Sequence, residues 1–171
     1  MLTQSRILWW SLPGCLILAL GCGGSSGPKL CRVSGRVTVE GDKPFSAGTV
    51  RFIPAPGSNL NSREAITDSQ GRYRMEFFPG QPGLQPGDYK VMFSLYQMPD
   101  GSPVPDQSKE VDPQHPTQLG AVQMVSPEFE FGKADVCAVT ITEGGGEFDF
   151  DLPELKPQPV DVGSKRSPRR R

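Results

Sequence analysis

One histidine and two tryptophans occur in 171 residues, and aromatic residues make up only 8% of the chain. A lone histidine excludes His-rich metal centres and most hydrolytic constellations, because both draw on several imidazoles. Net charge is also scarce, at −1 overall, so the chain as a whole has no basic field for nucleic acid. Apolar residues reach only 36%, below the usual level unless Gly is counted with them, and no amphipathic helical stretch of useful length is present. What the chain has in abundance is Gly and Pro, 20 and 18 residues, which promises many turns and disfavours long helices. Length argues for one domain with tails, not two domains.

The opening Met1–Arg6 holds a positive charge and no acid, and an apolar run from Ile7 to Leu20 follows. That run is short for a membrane span, and Pro13 and Gly14 interrupt it, so residues 1–21 read as an export signal. Leu18-Ala19-Leu20-Gly21-Cys22 resembles the lipobox of bacterial lipoproteins. The resemblance implies that Cys22 becomes the mature N-terminus, carrying a diacylglyceryl group and an amide-linked chain such as palmitate. Two or more acyl chains make a durable anchor where one does not. Residues 22–30 then form a flexible tether, and the body faces the periplasm or the cell surface. Gly23, where an inner-membrane retention signal would place Asp, points to the outer membrane.

Beyond the tether the pattern has a period of two. Val33, Val37 and Val39 alternate with polar residues; Thr49–Ile53 and Arg63–Thr67 follow; Arg72–Phe77 alternates charged and apolar at every step. Tyr89, Val91, Phe93 and Leu95 share a side, as do Cys137, Val139 and Ile141, and then Phe148, Phe150 and Leu152. Short alternating strands between turn signals predict an all-β, seven-stranded antiparallel sandwich over residues 31–154. Asp68-Ser-Gln-Gly71 reads as a tight turn, with the Asp carboxylate accepting backbone N–H groups and Gly71 at positive φ. It lacks the ligand spacing of a calcium loop, so no metal is expected there.

Ser34-Gly-Arg-Val-Thr-Val-Glu-Gly-Asp-Lys-Pro44, Ala47-Gly-Thr-Val-Arg-Phe52, Thr67-Asp-Ser-Gln-Gly-Arg-Tyr73 and Pro86-Gly-Asp-Tyr-Lys-Val91 resemble the carboxypeptidase regulatory-like domain. That resemblance implies a transthyretin-like (prealbumin-like) sandwich. With the lipobox and the Gly146-Glu-Phe-Asp-Phe-Asp-Leu152 ending, the chain is similar to small secreted lipoproteins of planctomycete-type bacteria, a resemblance that carries no biochemical activity. The transthyretin-like fold includes a hydroxyisourate hydrolase branch, which uses several histidines and a C-terminal Tyr-Arg-Gly-Ser; Ser167-Pro-Arg-Arg-Arg171 does not supply them.

Once Cys15 leaves with the signal and Cys22 is acylated, Cys31 and Cys137 remain in an oxidising compartment. They either form a disulfide or stay as buried thiols. A bond closing such a loop would stabilise the fold by up to ~4.7 kcal/mol, provided the first and sixth strands are neighbours. Residues 97–128 form a Pro-rich loop that is expected to wrap the sandwich edge or stay mobile, with His115 as a solvated loop residue. Binding residues ride on such loops. Tyr96, Phe129 and Phe131 are the candidate ligand contacts, and Phe129 and Phe131 are expected on an edge strand or an exposed surface.

Residues 155–171 read as a disordered tail, whose end holds Lys165, Arg166, Arg169, Arg170 and Arg171 and no acid. Behind an export signal its anionic partners would be lipid headgroups or envelope polymers. The sequence therefore points to a non-catalytic, membrane-anchored envelope lipoprotein with a structural or adhesive role. The alternative is a glycan- or peptide-binding receptor module. No cofactor, small-molecule substrate or nucleic acid is implicated.

Overall fold

The computed structural model describes residues 29–159, Pro79 excepted. The signal segment, Cys22 and the basic residues at the end of the tail lie outside the described residues.

The first strand, β1 (Val33–Val39), is the middle of one sheet. Its alternation is real: Val33, Val37 and Val39 are buried and Arg36 is exposed. On one side β1 pairs antiparallel with β2 (Lys43–Pro44) and β5 (Arg72–Arg74). A second sheet runs through β3 (Thr49–Pro54), flanked by β4 (Arg63–Ile66) and by β8 (Gly87–Ser94), which in turn pairs with β11 (Ala138–Ile141), all antiparallel. Two small ladders accompany these sheets. One joins β6 (Glu76–Phe78) to β7 (Gln81–Pro82), the other β9 (Tyr96–Gln97) to β10 (Val122–Gln123).

The last strands, β12 (Gly146–Glu147) and β13 (Phe150–Leu152), lie on the other side of β1 and run parallel to it. A wholly antiparallel body is thus corrected at this edge. Parallel neighbours need a long crossover connection, and here most of the described body, residues 40–149, lies between β1 and β13. Period-two patterning specifies which face of a strand is buried and is blind to the direction of its neighbour. Gly35 allows the close approach, since a Cβ there would stand 1.9 Å from the Phe148 carbonyl oxygen.

The two sheets share one core. Phe93 of β8 meets Phe150 of β13 edge-on, with ring centroids 5.1 Å apart, and Phe52 of β3 lies 6.2 Å from Tyr73 of β5. Such aromatic pairs add to the burial of their area. Tyr73 also donates its hydroxyl to the Phe148 carbonyl at 2.7 Å, so the buried phenol is satisfied. Burial raises its pKa well above the usual tyrosine range.

Turn chemistry follows the sequence reading at Asp68. Its Oδ1 accepts the N–H groups of Gln70 (2.8 Å) and Arg72 (2.9 Å), its Oδ2 accepts from Arg72 Nε, and Gly71 takes φ +76°. These bonds hold the carboxylate pKa below its ordinary value, led by the Arg72 amide. The run Arg72–Phe77, by contrast, is broken at Met75 into β5 and β6. Met75 is fully buried and donates its N–H to Val33.

No disulfide joins Cys31 and Cys137, which are both buried free thiols. The first strand and the strand after Cys137 are not neighbours, because β1 pairs with β2, β5, β12 and β13 while Cys137 leads into β11 in the other sheet. Cys31 Sγ donates instead to the Glu143 carbonyl at 3.1 Å, and burial raises the Cys137 thiol pKa.

Candidate functional site

Strand β8 leaves the second sheet at Leu95, and the chain then builds a cap largely from the Pro-rich residues expected to wrap the sandwich edge or stay mobile. Tyr96 pairs with Gln123 across β9 and β10. Between them a 3-10 turn, Pro116–Leu119, is capped by His115, whose Nδ1 lies 2.9 Å from Thr117 Oγ1 and whose backbone N–H donates to Gln118 Oε1. His115 is exposed, as expected, but it is structured: its ring stands edge-on to Tyr96 at 5.4 Å. Ala121, Gln123 and Val125 are buried, so residues 97–128 are anchored and not merely draped.

Gln123 is the polar centre of this cap. Its side-chain oxygen accepts N–H groups from Leu95 (2.9 Å), Met124 (3.0 Å) and Val125 (3.2 Å), and its amide nitrogen donates to Glu130 at 3.3 Å. The exit of β8, the second hairpin strand and the following helix are thereby tied to one side chain. A buried amide oxygen with three donors is well satisfied.

A short helix, α1 (Pro127–Glu130), the one α-helix among the described residues, forms where an edge strand or an exposed surface is expected. Pro127 is pre-set for the first helical turn, and Glu128 and Glu130 suit its positive end. Helical spacing separates the two phenylalanines that strand spacing would have aligned. Phe129 turns into the core against Phe93, at 6.3 Å, and is withdrawn as a ligand contact; Phe131 turns out and is 50% exposed, with Lys133 over its ring at 5.5 Å.

Tyr96 and Phe131 come together. They border a cleft of about 720 Å³ whose remaining wall includes Thr117, Gln123, Glu130 and Gln158. A neighbouring recess of about 160 Å³ shares Tyr96, Glu130 and Phe131 and adds Arg51 and His115. Desolvation, and then the Glu130 carboxylate, raise the Tyr96 pKa, so its hydroxyl remains a hydrogen-bond donor. The start of the expected disordered tail contributes as well. Lys156 N–H bonds Met124 O at 3.0 Å, Gln158 N–H bonds Gln123 O at 2.8 Å, and Leu155 packs on the core. The ordered body therefore extends past residue 154. The sequence reading missed Gln123, Glu130 and Gln158, since single amides and acids among prolines carry no spacing signal.

Aromatic faces beside amide and carboxylate groups can stack on an apolar ring while hydrogen-bonding its polar edge. A second concavity, of about 680 Å³, lies on the outer face of β1 and β5, lined by Arg36, Arg72 and Arg74 with Asp68, Glu147 and Asp149. Its arginines are partly committed, Arg72 to Asp68 and Arg36 to the Gln70 carbonyl. Among the described residues no group of three or more His, Cys, Asp or Glu side chains could hold a metal ion, and no helix is long and apolar enough to cross a membrane. No known protein family, curated protein or solved structure matches the chain.

Proposed function

We propose that the chain is an exported lipoprotein of the bacterial cell envelope, anchored by acyl groups on Cys22. Its body would be a non-catalytic sandwich of the transthyretin-like, carboxypeptidase regulatory-like kind with a structural or adhesive role. The observation that carries this reading is the signal-plus-cysteine pattern Leu18-Ala19-Leu20-Gly21-Cys22, whose cysteine stands eleven residues before Val33, the first strand residue of an all-β body. Two sheets that share one core support the sandwich architecture. His115 is engaged in capping a turn, and a hydrolase reading has no second imidazole to draw on.

Replacing Cys22 by Ala tests the anchor. The expected result is transfer of the protein from the membrane to the soluble fraction, together with loss of acyl labelling. Unchanged fractionation would overturn the lipoprotein reading.

A second reading, a receptor module for a glycan or an extended peptide, is favoured by one observation: Tyr96 and Phe131 border the same cleft. Retention on peptidoglycan or immobilised glycans that is lost in Tyr96→Ala and Phe131→Ala would support it. Retention equal in all three proteins would remove the cleft from consideration.

A further inference from the structure

The chain enters the body at one end of the sheets, and that end carries an aromatic pair, the half-buried Phe77 and the exposed Phe78. Cys31 pairs with Leu84, donating its N–H to the Leu84 carbonyl at 2.7 Å, and Leu84 follows directly on the β6–β7 hairpin. Phe78 in that hairpin is 57% exposed, although it is one of the largest apolar side chains in the protein. Phe77 stands perpendicular to it with centroids 4.7 Å apart, and the Arg63 guanidinium lies over the Phe77 ring at 4.6 Å. An exposed ring stacked edge-on against a half-buried one and backed by a cation is the amphipathic grouping that settles at a membrane–water interface.

The tether decides what this pair can reach. Even fully extended, residues 22–29 span at most roughly 25 Å, so acyl chains on Cys22 would hold Lys29, and the hairpin beside it, close to the bilayer. The length fixes distance and leaves orientation free; the aromatic pair would fix orientation. We propose that Phe77 and Phe78 form a membrane-contact surface that seats this end of the body in the headgroup region of the bilayer carrying the anchor. This inference rests on the lipoprotein reading.

Charge does not carry the contact. Lys29 is paired with Glu143, and Glu76 opens the hairpin, so basic and acidic groups offset one another at this end. Seating would therefore persist at high salt, where a purely electrostatic contact would weaken. A consequence follows for the cleft. Strand β8 runs from Gly87, at the tethered end, to Ser94, beside Tyr96. Its 8 residues cover about 26 Å, which presents the Tyr96–Phe131 cleft away from the lipid.

Trp9 and Trp10 are the chain's two tryptophans and both precede Cys22, so the processed protein offers a dark background. The full chain carrying Phe78→Trp is extracted from membranes and reconstituted into phosphatidylcholine–phosphatidylglycerol vesicles brominated near the headgroup end of the acyl chains. Val111→Trp, at a fully exposed site on the cap, serves as the comparison. Expected are a blue shift and about twofold quenching for Phe78→Trp, in low and high salt alike, given that interfacial side chains sit ~5–10 Å into the headgroup boundary. Val111→Trp should be unchanged. Vesicle-bound protein in which both tryptophans respond alike would overturn the contact while leaving the anchor intact. Protein that fails to float with the vesicles would overturn the anchor reading and this inference with it.

Discussion

Gln123→Met keeps nearly the same side-chain volume and removes an acceptor that three backbone N–H groups share. Met124 N–H keeps its other partner, the Leu95 carbonyl at 2.9 Å, so two amides, those of Leu95 and Val125, lose the bond the side chain supplies. Leaving a buried donor unsatisfied costs about 1–3 kcal/mol, and two such groups place the expected loss at roughly 2–6 kcal/mol. For a domain of this size that lowers the melting temperature by roughly 10 °C. Urea unfolding of the exported, purified chain measures it through the midpoint, with an unchanged slope showing that compactness is preserved. A loss below about 0.5 kcal/mol, the range of ordinary surface substitutions, would refute the claim that this one amide holds the cap to the body. In that event the cleft wall would be held by the apolar contacts of Val125 and Phe129 together with the backbone bonds of Met124 to Leu95 and Lys156.

Gly35→Ala forces a Cβ into the Phe148 carbonyl and should cost about 3 kcal/mol or more, in the range of severe core disruptions, read by the same unfolding experiment. Asp68 has a depressed folded-state pKa, so its contribution is fully present above the unfolded-state value near 3.8 and is lost as pH falls through the folded one. Asp68→Asn should flatten that acid limb of the stability profile, and an acid limb identical to that of the parent would count against the turn as its source. Cys31 and Cys137 should resist a thiol reagent in the folded chain and both react in urea, with equal gel mobility with and without reductant; a mobility difference would show a disulfide after all.

Much of the body was legible because half-buried strands write their inward face into every second residue. Val33, Val37, Val39, Tyr89, Val91, Phe93 and Leu95 are buried as their spacing predicts. Strand direction was not legible, because the same alternation serves a parallel or an antiparallel neighbour, and β13 beside β1 is the parallel case. The cap was illegible for a different reason. Its order comes from isolated bonds acting over distance, the Gln123 side chain on the Leu95 N–H and the Met124 carbonyl on the Lys156 N–H, and such bonds leave no periodic trace. Of the three aromatic candidates, Tyr96 and Phe131 lie at the cleft, whereas Phe129 went inward because four residues chose a helical turn behind Pro127.

Intact-mass measurement of the protein extracted from native membranes tests the central claim most directly. The account predicts a chain that begins at Cys22, heavier than its polypeptide by the mass of the attached acyl groups and with two free thiols. A chain of unmodified mass, or one that still carries residues 1–21, would contradict it.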